Sequence, residues 1–201
     1  MTKIKLCGLS RDCDIEAVNE LGPEYIGFVF APKSKRYVDK ERAAGLRSRL
    51  RPNITPVGVF VNENPETIAD LLKNGIIDIA QLHGSESEEY IENLRKLTDK
   101  PIIKAFRIDT EQDVEIANQS SADYVLLDSG QGTGTVFDWN LLKNIARPYF
   151  LAGGLTPDNV SQALTQLHPY AVDISSGIET DGFKDKEKMA TFVSNVRHKE
   201  I

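Results

Sequence analysis

Cysteine occurs only twice in the 201 residues, at Cys7 and Cys13, and that scarcity narrows the field. Two cysteines without a second pair at metal-ligand spacing suggest neither a disulfide framework nor a zinc site. Histidine is almost as scarce. Of His83, His168 and His198, only His83 falls at the end of a strand-like stretch, so a multi-histidine metal centre is poorly supported. No apolar run approaches the length needed to cross a membrane. Positive charge is not in excess either: a formal net charge of -6 argues against nucleic acid or an anionic membrane surface as partner. An anionic small molecule would need a local basic site instead. Met1-Thr2-Lys3-Ile4-Lys5 opens straight into a strand pattern, which predicts no signal peptide and a cytoplasmic location.

What is present is a regular alternation. With 27% charged and 40% hydrophobic residues, the composition is that of an ordinary globular protein, and the length suits one domain spanning 1–201. Short apolar stretches at Ile4–Cys7, Tyr25–Phe30, Pro56–Val61, Ile79–Leu82, Ile102–Phe106, Tyr124–Asp128, Tyr149–Ala152 and Ala171–Ile174 read as strands. Helical patterns follow each of them. The first carries Ile15, Val18 and Leu21 behind an Asp12 or Asp14 cap. The others are Asp39–Leu50, Pro65–Leu72, Glu86–Leu97, Thr110–Gln119, a short helix at Leu141–Ile145, Asp158–Leu167 and Lys186–Val196. Eight β-then-α strokes with short connections predict a parallel sheet covered by helices. Closure within so short a chain favours a (β/α)8 TIM barrel over an open doubly wound sheet, which has no glycine fingerprint after the first strand to support it.

In such a barrel the active site lies at the C-terminal ends of the strands. Those ends read Cys7, the loop carrying Arg36, Asn62, His83, Arg107, Asp128, Gly153-Gly154 and Ser175-Ser176-Gly177. The set includes a possible base, a possible acid, cationic side chains and two small-residue loops. Small residues let backbone N–H groups approach an anion, with a helix N-terminus adding partial positive charge, so Gly153, Gly154, Ser175, Ser176 and Gly177 form a candidate phosphate clamp. Asp173 sits beside it and is expected to orient loop backbone. His83 joins the substrate-binding set with its role open. Cys13, on a helix, is expected to be core or partly covered packing. The one long loop, Ser129–Phe137, is a candidate lid.

Several ordered motifs then carry a family resemblance. Lys5-Leu6-Cys7-Gly8-Leu9, Gly27-Phe28-Val29-Phe30, Pro32 to Val38, Val57 to Asn62 and Gln81-Leu82-His83-Gly84 resemble phosphoribosylanthranilate isomerase. So do Gly132-Thr133-Gly134 with Phe137-Asp138-Trp139, Ala152-Gly153-Gly154-Leu155, and Val172 to Glu179. Thr135, where relatives often carry Lys, and Pro23 depart from the pattern without touching the acid, base or phosphate positions.

The resemblance implies an Amadori rearrangement in tryptophan biosynthesis, converting N-(5-phosphoribosyl)anthranilate to its aminoketose. It implies no metal and no organic cofactor, because the substrate's own nitrogen becomes the electron sink. By the same resemblance Cys7 is the general base, Asp128 the general acid, and Arg36 holds the anthranilate carboxylate. The partner implied is a phosphorylated small molecule, with monomer and homodimer both open. Rival readings differ at named positions. A histidine-pathway sugar isomerase would show Asp in place of Cys7, and a pentose-phosphate epimerase would show a His and Asp metal set. A non-catalytic phosphate-ligand sensor would not need the Cys7 and Asp128 pair, and a redox sensor would need Cys7 to oxidise reversibly.

Overall fold

The computed structural model describes residues 1–128 and 139–198. Its eight short strands lie side by side in chain order: β1 (Lys3–Cys7), β2 (Tyr25–Val29), β3 (Thr55–Phe60), β4 (Ile79–Leu82), β5 (Ile102–Arg107), β6 (Tyr124–Asp128), β7 (Tyr149–Ala152) and β8 (Ala171–Ile174). All neighbours are parallel, and β1 pairs with β8 to close the barrel, so the expected TIM-barrel architecture is the observed one. Wrapped outside are α1 (Asp12–Leu21), α2 (Lys40–Ser48), α3 (Pro65–Lys73), α4 (Glu88–Arg95), α5 (Glu111–Gln119), α6 (Val160–Gln166) and α7 (Lys186–His198). Among the described residues no helix is long and apolar enough to cross a membrane.

Strand alternation explains the core. Side chains at odd positions of β1 point inward while Ile4 and Leu6 point outward, onto the layer buried between strands and helices. The same alternation puts Val57, Ile79, Ile103, Leu126 and Phe150 in a separate cluster that fills the barrel interior. Tyr25, Tyr124 and Tyr170 pack around Phe150 at ring separations of 5.5–5.8 Å. Lys3 lies over the Tyr170 ring, closing this end of the barrel.

Several sequence expectations shift. Neither Asp12 nor Asp14 caps α1. Arg11 occupies that position, and the buried Asp14 carboxylate reaches back to accept from the Ser10 and Arg11 N–H groups at 3.0 and 2.9 Å. Cys13, expected to be core or partly covered packing, is exposed. The sixth helix is a 3-10 helix, Trp139–Asn144, rather than an α-helix. α4 begins at Glu88 behind a Ser87 cap, which frees Glu86 for another task. After β8 the chain adds an unanticipated antiparallel hairpin, β9 (Glu179–Thr180) and β10 (Phe183–Lys184). The Ser129–Phe137 lid lies outside the described residues.

Candidate active site

The C-terminal rim encloses a cavity of about 410 Å3 lined by Cys7, Arg36, His83, Asp128, both loop glycines after β7, and Asp173, Ser175 and Ser176 after β8. Gly177 lies under this lining rather than in it: a Cβ there would stand 2.1 Å from the Leu155 carbonyl oxygen, so its loop presses against the one after β7. The candidates drawn from strand ends thus converge, with two exceptions. Arg107 is well exposed and pairs with Asp109, and Asn62 turns away with a left-handed backbone whose N–H donates to Glu86.

Cys7 ends β1 directly beside Gly27 of β2, where a Cβ would come within 2.5 Å of its Sγ. Glycine there gives the thiol its room. Burial, reinforced by Asp173, pushes the Cys7 thiol up, and the ammonium groups of Lys5 and Lys184 offset this only in part. The expected base is therefore a protonated thiol at rest, poised between two buried cations.

Those cations were not read from the sequence. Lys5 is fully buried at the centre of the barrel, 2.9 Å from the Asp173 carboxylate on the neighbouring strand. Asp173 accordingly engages a lysine rather than the loop backbone it was expected to orient. Lys184, almost fully buried, comes from the β9–β10 hairpin and donates to the Ser175 carbonyl at 2.8 Å, to Ser175 Oγ at 3.2 Å and to Glu179 at 2.6 Å. Ser175 Oγ in turn donates to the Cys7 carbonyl at 3.1 Å, tying the β8 loop to the end of β1. Inward alternation with Cys7 is a signal that could have found Lys5. Lys184 sits in a two-residue strand, and no period marks it.

Across the cavity, Asp128 ends β6 and stands 3.4 Å from His83 Nε2. His83 Nδ1 lies 2.8 Å from the Gln81 side-chain amide, which leaves Nε2 facing the Asp128 carboxyl. His83 is thus a neighbour of the carboxyl group. Gln81, inward on β4 and buried, is a further residue the sequence reading passed over.

Both glycines after β7 take left-handed backbone, with φ of 85° and 65°, a conformation that side chains resist. Asn159 braces this turn, accepting from Thr156 N–H at 2.8 Å and donating to the Gly154 carbonyl at 2.9 Å. α6 starts only at Val160, while a 3-10 turn over Ser176–Ile178 begins directly at the rim after β8. Arg36 reaches the cavity from the loop after β2 with Nε and Nη2 on the two Glu179 oxygens, at 2.6 and 2.8 Å. Among the described residues no three His, Cys, Asp or Glu side chains are grouped to hold a metal ion.

Residues 4–195 match the family model described as N-(5'phosphoribosyl)anthranilate (PRA) isomerase. The chain belongs to this family. An N-(5'-phosphoribosyl)anthranilate isomerase of Acetivibrio thermocellus is 46% identical, with 98% of this chain and 96% of the relative aligned. The crystal structure of the isomerase from Thermotoga maritima superposes with a TM-score of 0.90 at 36% identity, covering 98% of this chain and 100% of that one. A phosphoribosyl anthranilate isomerase solved in complex with reduced 1-(o-carboxyphenylamino)-1-deoxyribulose 5-phosphate superposes with a TM-score of 0.87, again at 36% identity, covering 98% and 100%. Membership spans the whole barrel, so the rim described above is the part of this isomerase fold where the chemistry belongs.

Proposed function

We propose that residues 1–201 form one catalytic domain, located in the cytoplasm, that rearranges N-(5'-phosphoribosyl)anthranilate to 1-(o-carboxyphenylamino)-1-deoxyribulose 5-phosphate in tryptophan biosynthesis. Asp128 gives a proton to the ribose ring oxygen. The bond from that oxygen to C1 breaks, and the nitrogen lone pair forms an iminium at C1. Cys7, as thiolate, removes the C2 proton, and the electron pair moves through C1 to nitrogen. The resulting enolamine takes a proton at C1 and loses its hydroxyl proton at C2, which leaves the aminoketone.

The observation that carries this reading is the placement of a thiol and a carboxyl on β1 and β6, facing one cavity from separate strands. A proton donor and a proton acceptor on different walls act at different atoms of one substrate. The resting thiol fits as well. A cationic iminium arriving beside Cys7 favours its thiolate, and the Asp128 carboxylate left by ring opening takes up the thiol proton, so the base is generated only once the ring has opened. Arg36 offers a planar guanidinium to the anthranilate carboxylate. Loop backbone at Gly153, Gly154, Ser175, Ser176 and Gly177 takes the phosphate, with Asp173 and His83 completing the walls.

Loss of substrate fluorescence, followed with wild type, Cys7→Ser and Asp128→Asn, tests the assignment. Rapid conversion by wild type and a loss on the order of a thousandfold or more in each folded variant is the expected result. Full activity in either variant would remove that residue from the mechanism. No conversion by folded wild type would leave a phosphate-ligand sensor as the better reading.

A further inference from the structure

Arg36 does not enter the cavity as a free cation. Its stem packs on Gly8, where a Cβ would lie 2.5 Å from Arg36 Cδ, and Gly8 takes a left-handed φ of 81° that suits glycine. Glu179 takes the guanidinium edge formed by Nε and Nη2. A guanidinium has a second bidentate edge, formed by Nη1 and Nη2, and fixing the first determines where the second points.

Glu179 would neutralise Arg36 and repel an incoming carboxylate if nothing balanced it. Lys184 does so, 2.6 Å from Glu179 Oε1 with only 2% of its side chain exposed. The three charges sum to one positive unit, so the cluster still attracts an anion. Burial would raise the Glu179 carboxyl, yet the hydrogen bonds from Arg36 and Lys184 hold it below its ordinary value, consistent with a permanently ionised bridge. Lys184 is itself fixed on Ser175, whose hydroxyl holds the end of β1.

We propose that Glu179 and Lys184 are positioning residues that hold Arg36 with its terminal guanidinium edge toward the cavity, presenting a preoriented, net-positive receptor to the substrate carboxylate. Ser175 makes this receptor continuous with the phosphate-binding loop, so the two anionic ends of the substrate are gripped by one rigid unit. The proposal rests on the reading that Arg36 holds that carboxylate.

Steady-state kinetics on wild type, Glu179→Gln, Arg36→Ala and the double variant test it, with inorganic phosphate as a competitive probe of the other end. Glu179→Gln is expected to raise KM about tenfold, the worth of one charge-assisted contact, with a smaller change in kcat and unchanged inhibition by phosphate. In the Arg36→Ala background the same substitution adds nothing, because its target is gone. A merely structural role would instead add its effect in both backgrounds and weaken phosphate inhibition too. An unchanged or lowered KM in Glu179→Gln, while Arg36→Ala raises it, overturns the positioning role and makes Glu179 a spectator or a competitor. An unchanged KM in Arg36→Ala overturns the carboxylate reading itself, and the two failures are thereby distinct. If Glu179→Gln does not fold, Glu179→Asp, which withdraws the carboxylate by one methylene, is read by the same criteria.

Discussion

Lys5 is the side chain on which the middle of the barrel turns. It has no exposed surface, and its ammonium faces one carboxylate, Asp173, at 2.9 Å. Removing one partner of a buried pair leaves the other uncompensated, so Lys5→Met is expected to cost about 3–5 kcal/mol of stability, measured by urea denaturation. Lys5→Met with Asp173→Leu should recover much of that loss, and a double-variant cost equal to the sum of the two single-variant costs would show that the pair is not coupled. Lys5 also draws the Cys7 thiol down. In folded Lys5→Met the limb of the kcat/KM profile that reports Cys7 therefore moves to higher pH, and an unmoved limb would separate Lys5 from the base. Cys7 and Asp128 were legible in the sequence because each closes a strand, and strand ends in a barrel share one rim. Lys5 was not. Lysine alternating with isoleucine and leucine reads first as a solvated strand face, and only its sharing of that face with Cys7 in a closed sheet marks it as inward. The buried position of Lys5 is a property of the barrel.

At the scale of elements, the loop after β8 and the loop after β7 work as one. The contact of Gly177 with the Leu155 carbonyl is too close for any side chain, and the obstacle is backbone, which cannot swing aside. Gly177→Ala is expected to push the two loops apart and weaken inhibition by inorganic phosphate about tenfold or more. Thermal unfolding should change little by comparison. Unaltered inhibition in that variant would take the phosphate away from these loops. The order and type of strands and helices were readable from apolar period and turn residues. Their ends were less so, and the misreadings have physical causes. The start of α1 is fixed by Asp14, but from the third position of the first turn rather than from ahead of the helix, where Arg11 stands. Glu86 looks like the first residue of a helix. It is instead drawn out of it by the Asn62 and Gly84 N–H groups and by Lys104 at 2.9 Å. The β9–β10 strands have two residues each, too few for any period to register, yet they deliver Glu179 and Lys184.

For the whole molecule, these carboxylates govern how the fold responds to acid. Burial would raise Glu86, but Lys104 and backbone N–H donors hold it low, and Glu179 is held low by Arg36 and Lys184 against the same burial. A carboxyl whose value is depressed in the folded state binds its proton more readily when unfolded. Its stabilisation is therefore complete above the unfolded value of about 4.3 and is lost as the pH falls through the lower folded value. Glu86 ties the loops after β3 and β4 to β5, and Glu179 ties the loop after β2 to the hairpin after β8. Protonating both loosens the rim on two sides. The midpoint temperature is expected to stay nearly level from neutral pH to about 5 and to drop below that. Acid also converts the formal charge of -6 to a large positive one, and self-repulsion adds to the decline in any variant. Glu86→Gln with Glu179→Gln separates the two effects. The double variant starts less stable at neutral pH, keeps the general repulsion and lacks the two titrating groups, so its midpoint should fall less steeply between about pH 5 and 3 than that of wild type. Parallel slopes over that window, followed by circular dichroism melts, would mean that acid unfolds this barrel through charge repulsion alone and that the rim carboxylates carry no special share of its stability.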